Sequence, residues 1–408
     1  MKTKSKKNFV DIFAGAGGLS EGFLRANARH VASIESNNDA CQTLTTRLIY
    51  HQLKQDNKLE MYQKYLQKKI TREELHSHLD EKRMGKVFCE AISENSVDSQ
   101  IERILDINHK VDLLIGGPPC QAYSHIGRAR DPKKMKDDKR NWLYRNYIRF
   151  LEKLEPEAFV FENVPGFKSA GNSEFYNELK IQTEKLGYTF NALKLVAIDY
   201  GVLQNRKRII IIGTKSTRPF ELDKITRNGY KVGDVLCDLP EINQGEKHEG
   251  YKYKQKPTEY LKENEIRTSD SLLTLHVARP HNSRDLEIYK IAVELWNNEK
   301  RRLSYNDLPD SLKTHKNTKS FTDRFKVVAA DEPYSQTVMA HIAKDGHYYI
   351  HPDIKQNRSL TMREAARLQS FPDNYFFEGP RTSVFKQIGN AVPPLMAYRI
   401  AEGILRRI

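Results

Sequence analysis

The segment Leu113–Ser124, with the sequence LLIGGPPCQAYS, constrains the fold more than any other part of the chain. Its apolar start is typical of a buried strand, and the two glycines and two prolines that follow predict a rigid turn. Open α/β sheets carry their binding and catalytic groups at the carboxyl ends of such strands. Cys120 is the first residue after this turn. On this observation alone, the usual role of a cysteine is that of a small buried apolar residue, and a nucleophile is the alternative.

Composition and charge narrow the class of protein. The 408 residues suffice for one large domain and a smaller one. The 67 Lys and Arg residues exceed the 53 Asp and Glu residues, and the net charge of +14 suits a polyanionic partner such as nucleic acid; a lysine-rich proteome is the alternative. The 4 cysteines include no CxxC pair, so we expect no disulfide framework, no metal and a reducing cytoplasm. We also expect no signal peptide and no membrane span.

A glycine-rich turn near the start of the chain predicts a ligand site. The apolar strand Phe9–Phe13 leads directly into AGAGGLSEGF, whose glycines permit a tight turn and a close approach of the backbone to a ligand. Glu35 ends the next strand, at a spacing after Gly15 that suits a carboxylate bound to a ribose. Ser20 replaces the third glycine of a dinucleotide fingerprint, which disfavours a nicotinamide cofactor and favours S-adenosylmethionine. A purely structural turn remains the alternative.

Further apolar runs predict the rest of a sheet and its helices. The predicted strands after the first are His30–Ile34, Val87–Ile92, Val111–Ile115, Ala158–Phe161, Tyr188–Ala197 and Ile209–Ile212. Amphipathic helices are predicted over Asn141–Leu154 and Ser173–Leu186. The charged stretch of about 41–86 predicts an inserted helical hairpin on the surface, in which Thr71 and Glu74 form a capping-box pattern. A solvated face is its usual role, and DNA contact or dimerisation are the alternatives.

Two strand ends carry polar side chains suited to a site. Glu162 lies at the same predicted edge of the sheet as Cys120, where it can donate a proton to a bound base or be an ordinary surface carboxylate. Arg206 and Arg208 alternate with Lys207 as a strand begins, so we expect both to point to one face. Guanidinium groups on one face suit a phosphate or a base carbonyl.

The remaining regions differ in character. The Lys- and Arg-rich loop His125–Arg140 predicts either a lid over a phosphate backbone or a solvated loop. The polar region 215–355 predicts a second domain, whose basic and aromatic residues suit the grooves of DNA, although an ordinary α+β module has a similar composition. In the last region, Thr361 and Glu364 form a capping box at the start of a helix, and QIGNAVPP precedes an amphipathic C-terminal helix.

Six segments, in this order, closely resemble the DNA (cytosine-5) methyltransferases: DIFAGAGG, GGPPCQAYS, FENV, QNRKR, RSLTMREAARLQSFPD and QIGNAVPP. The resemblance covers nearly the whole chain outside 215–355. It implies an α/β, Rossmann-like methyltransferase domain with an open, twisted, mostly parallel sheet and helices on both faces, plus a smaller, irregular target-recognition domain. The implied division is a catalytic and cofactor-binding domain over 1–214, the target-recognition domain over 215–355, and a return segment, 356–408, that completes the catalytic domain.

The resemblance implies a role for each catalytic residue. Carbon 5 of cytosine is a poor nucleophile, so a thiolate must first bond to the ring. Cys120 is expected to attack carbon 6 while Glu162 donates to ring nitrogen 3, Arg208 holds the base carbonyl and Arg206 supports the site. The base must be flipped out of the duplex to reach these groups. The expected DNA contacts are Gln121, Ser124, Arg128, Arg130 and, in the segment PYSQTV, Thr337.

The resemblance also implies a pocket for S-adenosylmethionine. The residues expected there are Phe13, Ala14, Gly15, Gly17, Gly18, Leu19, Glu35, Ser36, Ile92, Pro118, Leu143, Asn390 and Val392. The family usually has an acid just before the position of Ile92, and this chain has Ala91 there. Glu90, another neighbour, or backbone and packing alone are the alternatives for holding the adenine.

The expected activity is transfer of a methyl group from S-adenosylmethionine to carbon 5 of a cytosine in a specific sequence of double-stranded DNA, with S-adenosylhomocysteine as product. We expect a monomeric, cytoplasmic, free-standing modification enzyme of a prokaryotic restriction-modification system, whose cognate endonuclease acts on the same site without a stable complex. A transfer-RNA cytosine-5 methyltransferase and a sequence-specific DNA-binding repressor are the alternatives. The intact Cys120, Glu162 and Arg208 disfavour the repressor, and the long region 215–355 disfavours the transfer-RNA enzyme.

Overall fold

The computed structural model describes residues 6–108, 110–119, 143–216, 220–225, 229–269, 271–314, 319–320 and 322–408, without the side chains of residues 171–172. The loop 125–140 lies outside these residues. So do five of the residues expected at the site: Cys120, Gln121, Ser124, Arg128 and Arg130.

A seven-stranded sheet organises the fold, with the strand order β3-β2-β1-β4-β5-β7-β6. Its strands are β1 (Asn8–Ile12), β2 (Arg29–Glu35), β3 (Lys86–Cys89), β4 (Leu113–Gly116), β5 (Ala158–Asn163), β6 (Thr189–Val196) and β7 (Lys207–Thr214). The pairs from β3 to β5 are parallel, and β7 pairs antiparallel with both β5 and β6. The carboxyl ends of β1, β2, β4 and β5 therefore meet at one edge.

Thirteen helices surround or extend this sheet within the described residues. They are α1 (Gly18–Arg25), α2 (Asn38–Gln55), α3 (Leu59–Leu66), α4 (Arg72–His76), α5 (Glu81–Met84), α6 (Val97–Ile107), α7 (Leu143–Leu154), α8 (Glu174–Lys185), α9 (Glu259–Glu263), α10 (Ser283–Glu299), α11 (Met362–Leu368), α12 (Arg381–Asn390) and α13 (Pro394–Leu405). Short 3-10 helices occur at Pro165–Ser173, Ala197–Tyr200, Val232–Val235, Tyr305–Asp307, Asp310–Leu312 and Ala340–Ala343. In this described part, no helix has the length and apolar character needed to cross a membrane.

The central strands are mainly apolar because helices cover both faces of the sheet. Successive residues of β1 enter opposite cores: Val10 joins the core under α6, α7 and α8, whereas Phe9 joins the core under α1 and α13. Leu114 and Leu113 of β4 alternate in the same way. The predicted mostly parallel sheet with helices on both faces is confirmed.

The strand predicted to run to Ile92 ends at Cys89 instead. The backbone N–H of Glu90 still donates to the carbonyl oxygen of Glu35, at 2.8 Å. Glu35 is the last residue of β2, so β3 has no partner strand beyond this point. The chain therefore leaves the sheet after Cys89 and continues as a loop, which contains Ala91 and Ile92.

The region 41–86 differs from the predicted surface hairpin. It contains most of α2 together with α3, α4 and α5, and α2 buries eleven of its residues. Thr43 of α2 donates to Gln387 of α12 at 2.7 Å, and Arg47 reaches the carbonyl oxygen of Asn374. The helix α2 therefore belongs to the core beside the return segment. The predicted cap at Thr71 is present, since its side chain accepts the N–H of Glu74.

The return segment packs against the first helix of the chain. The predicted capping box is confirmed at α11: the side chain of Thr361 accepts the N–H of Glu364, and the Glu364 carboxylate accepts the N–H of Thr361. The predicted C-terminal helix is α13, which packs on α1. A Cβ atom added at Gly22 would lie 2.4 Å from the backbone of Ala397. The two helices therefore approach at backbone distance.

The described parts of region 215–355 carry few regular elements, in agreement with the irregular pattern of the sequence. Its main helix, α10, contributes Trp296 to a local apolar cluster that also includes Phe325. A second cluster is shared: Val235 and Tyr260 pack with Leu360 and Phe385 of the return segment. The domain boundaries stay a prediction.

Candidate active site

A cavity of about 530 Å³ opens at the carboxyl ends of β1, β2, β4 and β5. Its volume lies in the ordinary range of small-molecule sites. Glu162 and Arg208 line it. So do most of the residues expected around a cofactor: Phe13, Ala14, Gly15, Gly18, Leu19, Glu35, Ser36, Ile92, Pro118, Leu143, Asn390 and Val392.

The turn after β1 forms one wall of the cavity. Gly15 has φ +55 and Gly17 has φ +75, which is the left-handed region that glycine tolerates best. Gly17 caps α1 and lies behind the cavity wall, beside a separate small void. At Gly18 an added Cβ would lie 2.2 Å from the carbonyl oxygen of Val392. A glycine is therefore needed there for the return segment to reach the cavity.

Glu35 is fixed by the backbone on both sides. Its Oε2 accepts the N–H of Gly15 at 2.8 Å, and its Oε1 accepts the N–H of Asn37 at 2.8 Å. Ser36 also donates its hydroxyl to Oε1, at 3.4 Å. These bonds join the glycine turn to the end of β2 and set the carboxylate at the rim of the cavity.

Glu90 lines the cavity beside Ala91 and Ile92. Its carboxylate forms a salt bridge with Arg103 of α6, and the Arg103 guanidinium lies over the ring of Phe88, 4.6 Å from its centroid. A carboxylate is therefore present one residue before the position at which the family usually has one. The salt bridge holds it towards α6.

Two glycines allow the turn after β4 to pass between its neighbouring strands. A Cβ at Gly116 would lie 1.9 Å from the carbonyl oxygen of Ile12, and one at Gly117 would lie 2.1 Å from that of Glu162. Asn163 donates its side-chain amide to the carbonyl oxygen of Pro118 at 3.2 Å. This buried bond ties the turn to the end of β5, so the prolines reach the cavity wall in a fixed place.

Glu162 and Arg208 form an ion pair at the cavity. The Arg208 Nε lies 2.6 Å from the Glu162 Oε1, and both side chains are mostly buried, with 13% and 17% exposed. Arg208 belongs to β7, the antiparallel neighbour of β5, and Glu162 is paired there with Ile210. Residues two apart on a strand share a face, which explains why the two charged groups meet.

Arg206 lies just before β7 and does not accompany Arg208 in the cavity, contrary to the expectation that both point to one face. Its side chain is fully buried and does not line the cavity. One guanidinium nitrogen donates to the carbonyl oxygen of Val338 at 2.7 Å, and the other donates to that of Gly389 at 2.9 Å. Arg206 thus joins the region 215–355 to the loop that carries Asn390.

Thr337 lies in the same junction. Its hydroxyl donates to the carbonyl oxygen of Asn205 at 2.6 Å, and Asn205 donates its own N–H to Ser335 at 2.9 Å. The segment around Thr337 is therefore docked on the chain just before β7. The expected contact between Thr337 and DNA stays a prediction.

Asp11 lines the cavity although sequence analysis did not select it. Its side chain is buried, its Oδ2 accepts the hydroxyl of Ser20 at 2.5 Å, and its Oδ1 has no hydrogen-bond partner among the described residues. Burial raises the pKa of this carboxyl to about 7. The signal in the sequence was an acid within the otherwise apolar run FVDIF.

Helix α12 contributes three further lining residues that the sequence did not reveal: Ser383, Lys386 and Gln387. The motif QIGNAVPP precedes the C-terminal helix α13 as expected, and its first four residues, Gln387 to Asn390, also form the last turn of α12. Gln387 is held by Thr43 of α2 and donates to the carbonyl oxygen of Glu378 at 2.8 Å.

Comparisons with known proteins agree with this geometry. The family described as C-5 cytosine-specific DNA methylase matches residues 7–71 and 66–406. The chain is 40% identical over 438 residues to the Type II methyltransferase M.Bpa9945I of Bacillus paralicheniformis, covering 97% of this chain and 98% of that protein. It is 31% identical to the Type II methyltransferase M1.HphI of Haemophilus parahaemolyticus, covering 98% of this chain and 86% of the relative.

A solved structure shares the fold. It is assigned to a DNA modification methyltransferase encoded within a prophage (E. coli), with a TM-score of 0.61 and 23% identity over 98% of this chain and 99% of that one.

Proposed function

The chain belongs to the C-5 cytosine-specific DNA methylase family and is a DNA (cytosine-5) methyltransferase of the Type II kind, and we propose that it takes the methyl group from S-adenosylmethionine and modifies a flipped-out cytosine through a covalent bond to Cys120. The observation that carries this proposal is a single cavity that brings Glu162 and Arg208 together with the glycine turn and Glu35.

The described residues fit S-adenosylmethionine. The ligand carries ribose hydroxyls and a sulfonium cation, and the cavity offers the Glu35 carboxylate at its rim and the unpartnered Oδ1 of Asp11 in its wall. When bound, the cofactor supplies an electrophilic methyl group. Glu35 would hold the ribose, while Gly15 and Gly18 let the backbone approach the ligand closely. The remaining expected cofactor residues would complete the pocket.

Cys120 is the proposed nucleophile because it follows Pro119 in the sequence, and Pro119 lines the cavity. A free thiol has a pKa of about 8.5, so only a few per cent is thiolate at neutral pH, and attack requires its ionisation. The thiolate bonds to carbon 6 of cytosine and leaves again when the carbon 5 proton is lost. Arg206, which is buried, would support the site from behind.

Glu162 and Arg208 would hold the target base. Glu162 donates a proton to ring nitrogen 3, and its other oxygen accepts a hydrogen bond from the exocyclic amino group. Arg208 donates a hydrogen bond to the carbonyl oxygen of the base. Both groups now contact each other at 2.6 Å. The base must therefore replace at least part of this ion pair, which keeps the two groups in place until the base arrives.

We further propose that double-stranded DNA is the substrate and that the protein acts as a monomer, as the modification enzyme of a restriction-modification system. The net charge of +14 supports a polyanionic substrate. The Type II names of both relatives support the proposed system. A cognate endonuclease would act on the same site without a stable complex.

The test is incubation of the full chain with labelled S-adenosylmethionine and either duplex DNA or transfer RNA, followed by bisulfite mapping of modified cytosines. We expect label in DNA at carbon 5 of one cytosine within a recurring sequence, and its loss in Cys120→Ala. Label on RNA only, label on adenine, or full activity of Cys120→Ala would contradict the proposal.

A further inference from the structure

Two cysteines lie beside the ribose carboxylate and have no part in the proposed chemistry. Cys41 lies in the first turn of α2, and Cys89 is the last residue of β3. Cys89 is the register partner of Glu35 in the parallel pair of β2 and β3. Both cysteines are therefore next to the residue that the proposed function assigns to the cofactor.

Both thiols lie at the junction of β2, β3 and the first turn of α2, on either side of Glu35. The Cys41 thiol donates to the carbonyl oxygen of Glu35, with an Sγ to O distance of 3.1 Å. The Cys89 thiol reaches the Oδ1 of Asn38 at 3.9 Å. Burial raises the pKa of the Cys41 thiol, and the neighbouring Cys89 thiol raises it further.

The exposure of the two cysteines differs, which sets the order in which they can react. Cys89 is exposed, whereas only 4% of Cys41 is exposed. Because the thiolate is the reactive form, burial and a raised pKa protect Cys41 from an oxidant in solution. An oxidant would therefore react first with Cys89, and Cys41 would be the neighbouring thiol that resolves the product.

We propose that Cys41 and Cys89 are a redox modification site, in which a peroxide converts the dithiol into a reversible disulfide that weakens cofactor binding. The Cys89 sulfur attacks hydrogen peroxide, the O–O bond breaks, and a sulfenic acid and one water form. The Cys41 sulfur then attacks the Cys89 sulfur, the S–O bond breaks, and a second water leaves. In total two thiols and one peroxide give one disulfide and two waters, and a dithiol reductant reverses the change.

The link to the cofactor runs through Glu35 and rests on the proposed function. In the disulfide, Cys41 has no S–H to donate to the Glu35 carbonyl oxygen. That oxygen also accepts the N–H of Glu90, at 2.8 Å, and the Glu35 carboxylate accepts the N–H of Gly15. A bond between the cysteines would pull α2 towards β3 at this junction. A displaced Glu35 would bind the ribose less well, and we expect roughly tenfold weaker cofactor binding, which is about the effect of losing one hydrogen bond.

The test uses the full chain carrying Cys120→Ala and Cys237→Ser, so that Cys41 and Cys89 are the remaining cysteines. The protein is treated with hydrogen peroxide, and intact mass and peptide mapping are measured beside S-adenosylmethionine affinity by calorimetry. We expect a mass loss of about 2 Da, which is two hydrogens, together with a linked Cys41–Cys89 peptide. The affinity should fall about tenfold on oxidation and return after dithiothreitol.

The matched control adds Cys89→Ser, a change at the exposed position that leaves buried Cys41 unchanged. Its affinity should not respond to peroxide. Absence of the linked peptide, conversion of Cys89 to sulfinic acid without a disulfide, or a disulfide with unchanged affinity would each overturn the proposal. If the reduced protein fails to bind S-adenosylmethionine, the proposed function fails instead, because the mass readout does not depend on the cofactor.

Discussion

Glu35 and Glu162 both lie at the carboxyl ends of strands that run in the same direction, at the same edge of the sheet, yet they are held differently. Glu35 accepts backbone N–H groups from Gly15 and Asn37. Glu162 contacts a side chain, the Arg208 guanidinium. A group held by two backbone amides keeps its position before and after a ligand binds, whereas a group held by a mobile side chain can exchange that partner for a ligand.

The difference matches the two tasks in the proposed reaction. The cofactor end needs a fixed acceptor, because binding there requires position and no change in protonation. The base end needs a carboxyl group that can leave one partner and transfer a proton to another. In the proposed reaction, the same residue type would therefore serve binding at the end of β2 and chemistry at the end of β5.

Replacement of Glu162 should have the largest effect. In Glu162→Gln the side chain keeps its size but cannot transfer a proton to ring nitrogen 3, so we expect the single-turnover methylation rate to fall by about 10²- to 10⁴-fold. Cofactor affinity, measured by calorimetry without DNA, should stay within about twofold of the native value. An equal loss of affinity and rate would show that the two carboxylates do not divide the tasks in this way.

Replacement of Glu35 should affect binding instead of rate. In Glu35→Gln the charged acceptor is lost, and loss of a hydrogen bond to a charged group predicts about tenfold to a hundredfold weaker S-adenosylmethionine binding. At saturating cofactor the methylation rate should recover to within a few-fold of native. A rate that stays low at saturation would assign Glu35 a part in the chemistry.

A third carboxyl group, that of Asp11, lines the same cavity, and its raised pKa can be tested by the pH dependence of stability. Burial raises its pKa from 3.8 to about 7, so between these values the folded state binds more protons than the unfolded state. The stability contribution of Asp11 is therefore complete at low pH and is lost as pH rises through 7. Asp11→Asn should increase the free energy of unfolding at pH 8, relative to the native chain, by about 4 kcal/mol more than at pH 4. Equal differences at both pH values, measured by urea unfolding, would contradict the raised pKa.

Two glycines that both have a positive φ provide a matched pair of substitutions, for which we expect the smallest effect on cofactor binding. Gly15 (φ +55) and Gly187 (φ +82) have open space where a Cβ would stand, so alanine at either should cost about 1 kcal/mol of stability through backbone strain alone. Only Gly15 donates its N–H to Glu35. Strain at Gly15 would shift this N–H and the cavity wall that Gly15 forms, so Gly15→Ala should weaken cofactor binding by a few-fold, whereas Gly187→Ala should leave it unchanged. Weakened binding in both variants would attribute the effect to general destabilisation.

The sequence predicted the sheet because its central strands are covered on both faces and consist mainly of apolar residues. The spacing from Gly15 to Glu35 was informative because one helix and one strand separate them, and the structure shows a direct bond between the two. Local pattern was less informative for α2, whose contacts with Gln387 and Asn374 join residues more than three hundred positions apart.

The roles of Arg206 and Asp11 also required the structure. Alternation around Lys207 placed Arg206 beside Arg208, but the structure shows the Arg206 guanidinium buried against the carbonyl oxygens of Val338 and Gly389. Asp11 was hidden within an apolar strand, and only the fold shows that it lines the cavity with one oxygen that has no partner among the described residues. In both cases the deciding contact comes from a distant part of the chain or from the shape of the cavity.

The contact between Gly18 and Val392 has a consequence for how the enzyme is made. A cavity wall that begins at Phe13 is closed by Asn390 and Val392, so the ribosome completes the glycine turn long before it makes the residues that close the cavity. During that interval the nascent chain carries an open half-site. A complete cavity can therefore form only after the return segment has left the ribosome, and any interruption of synthesis before that segment yields a chain without one.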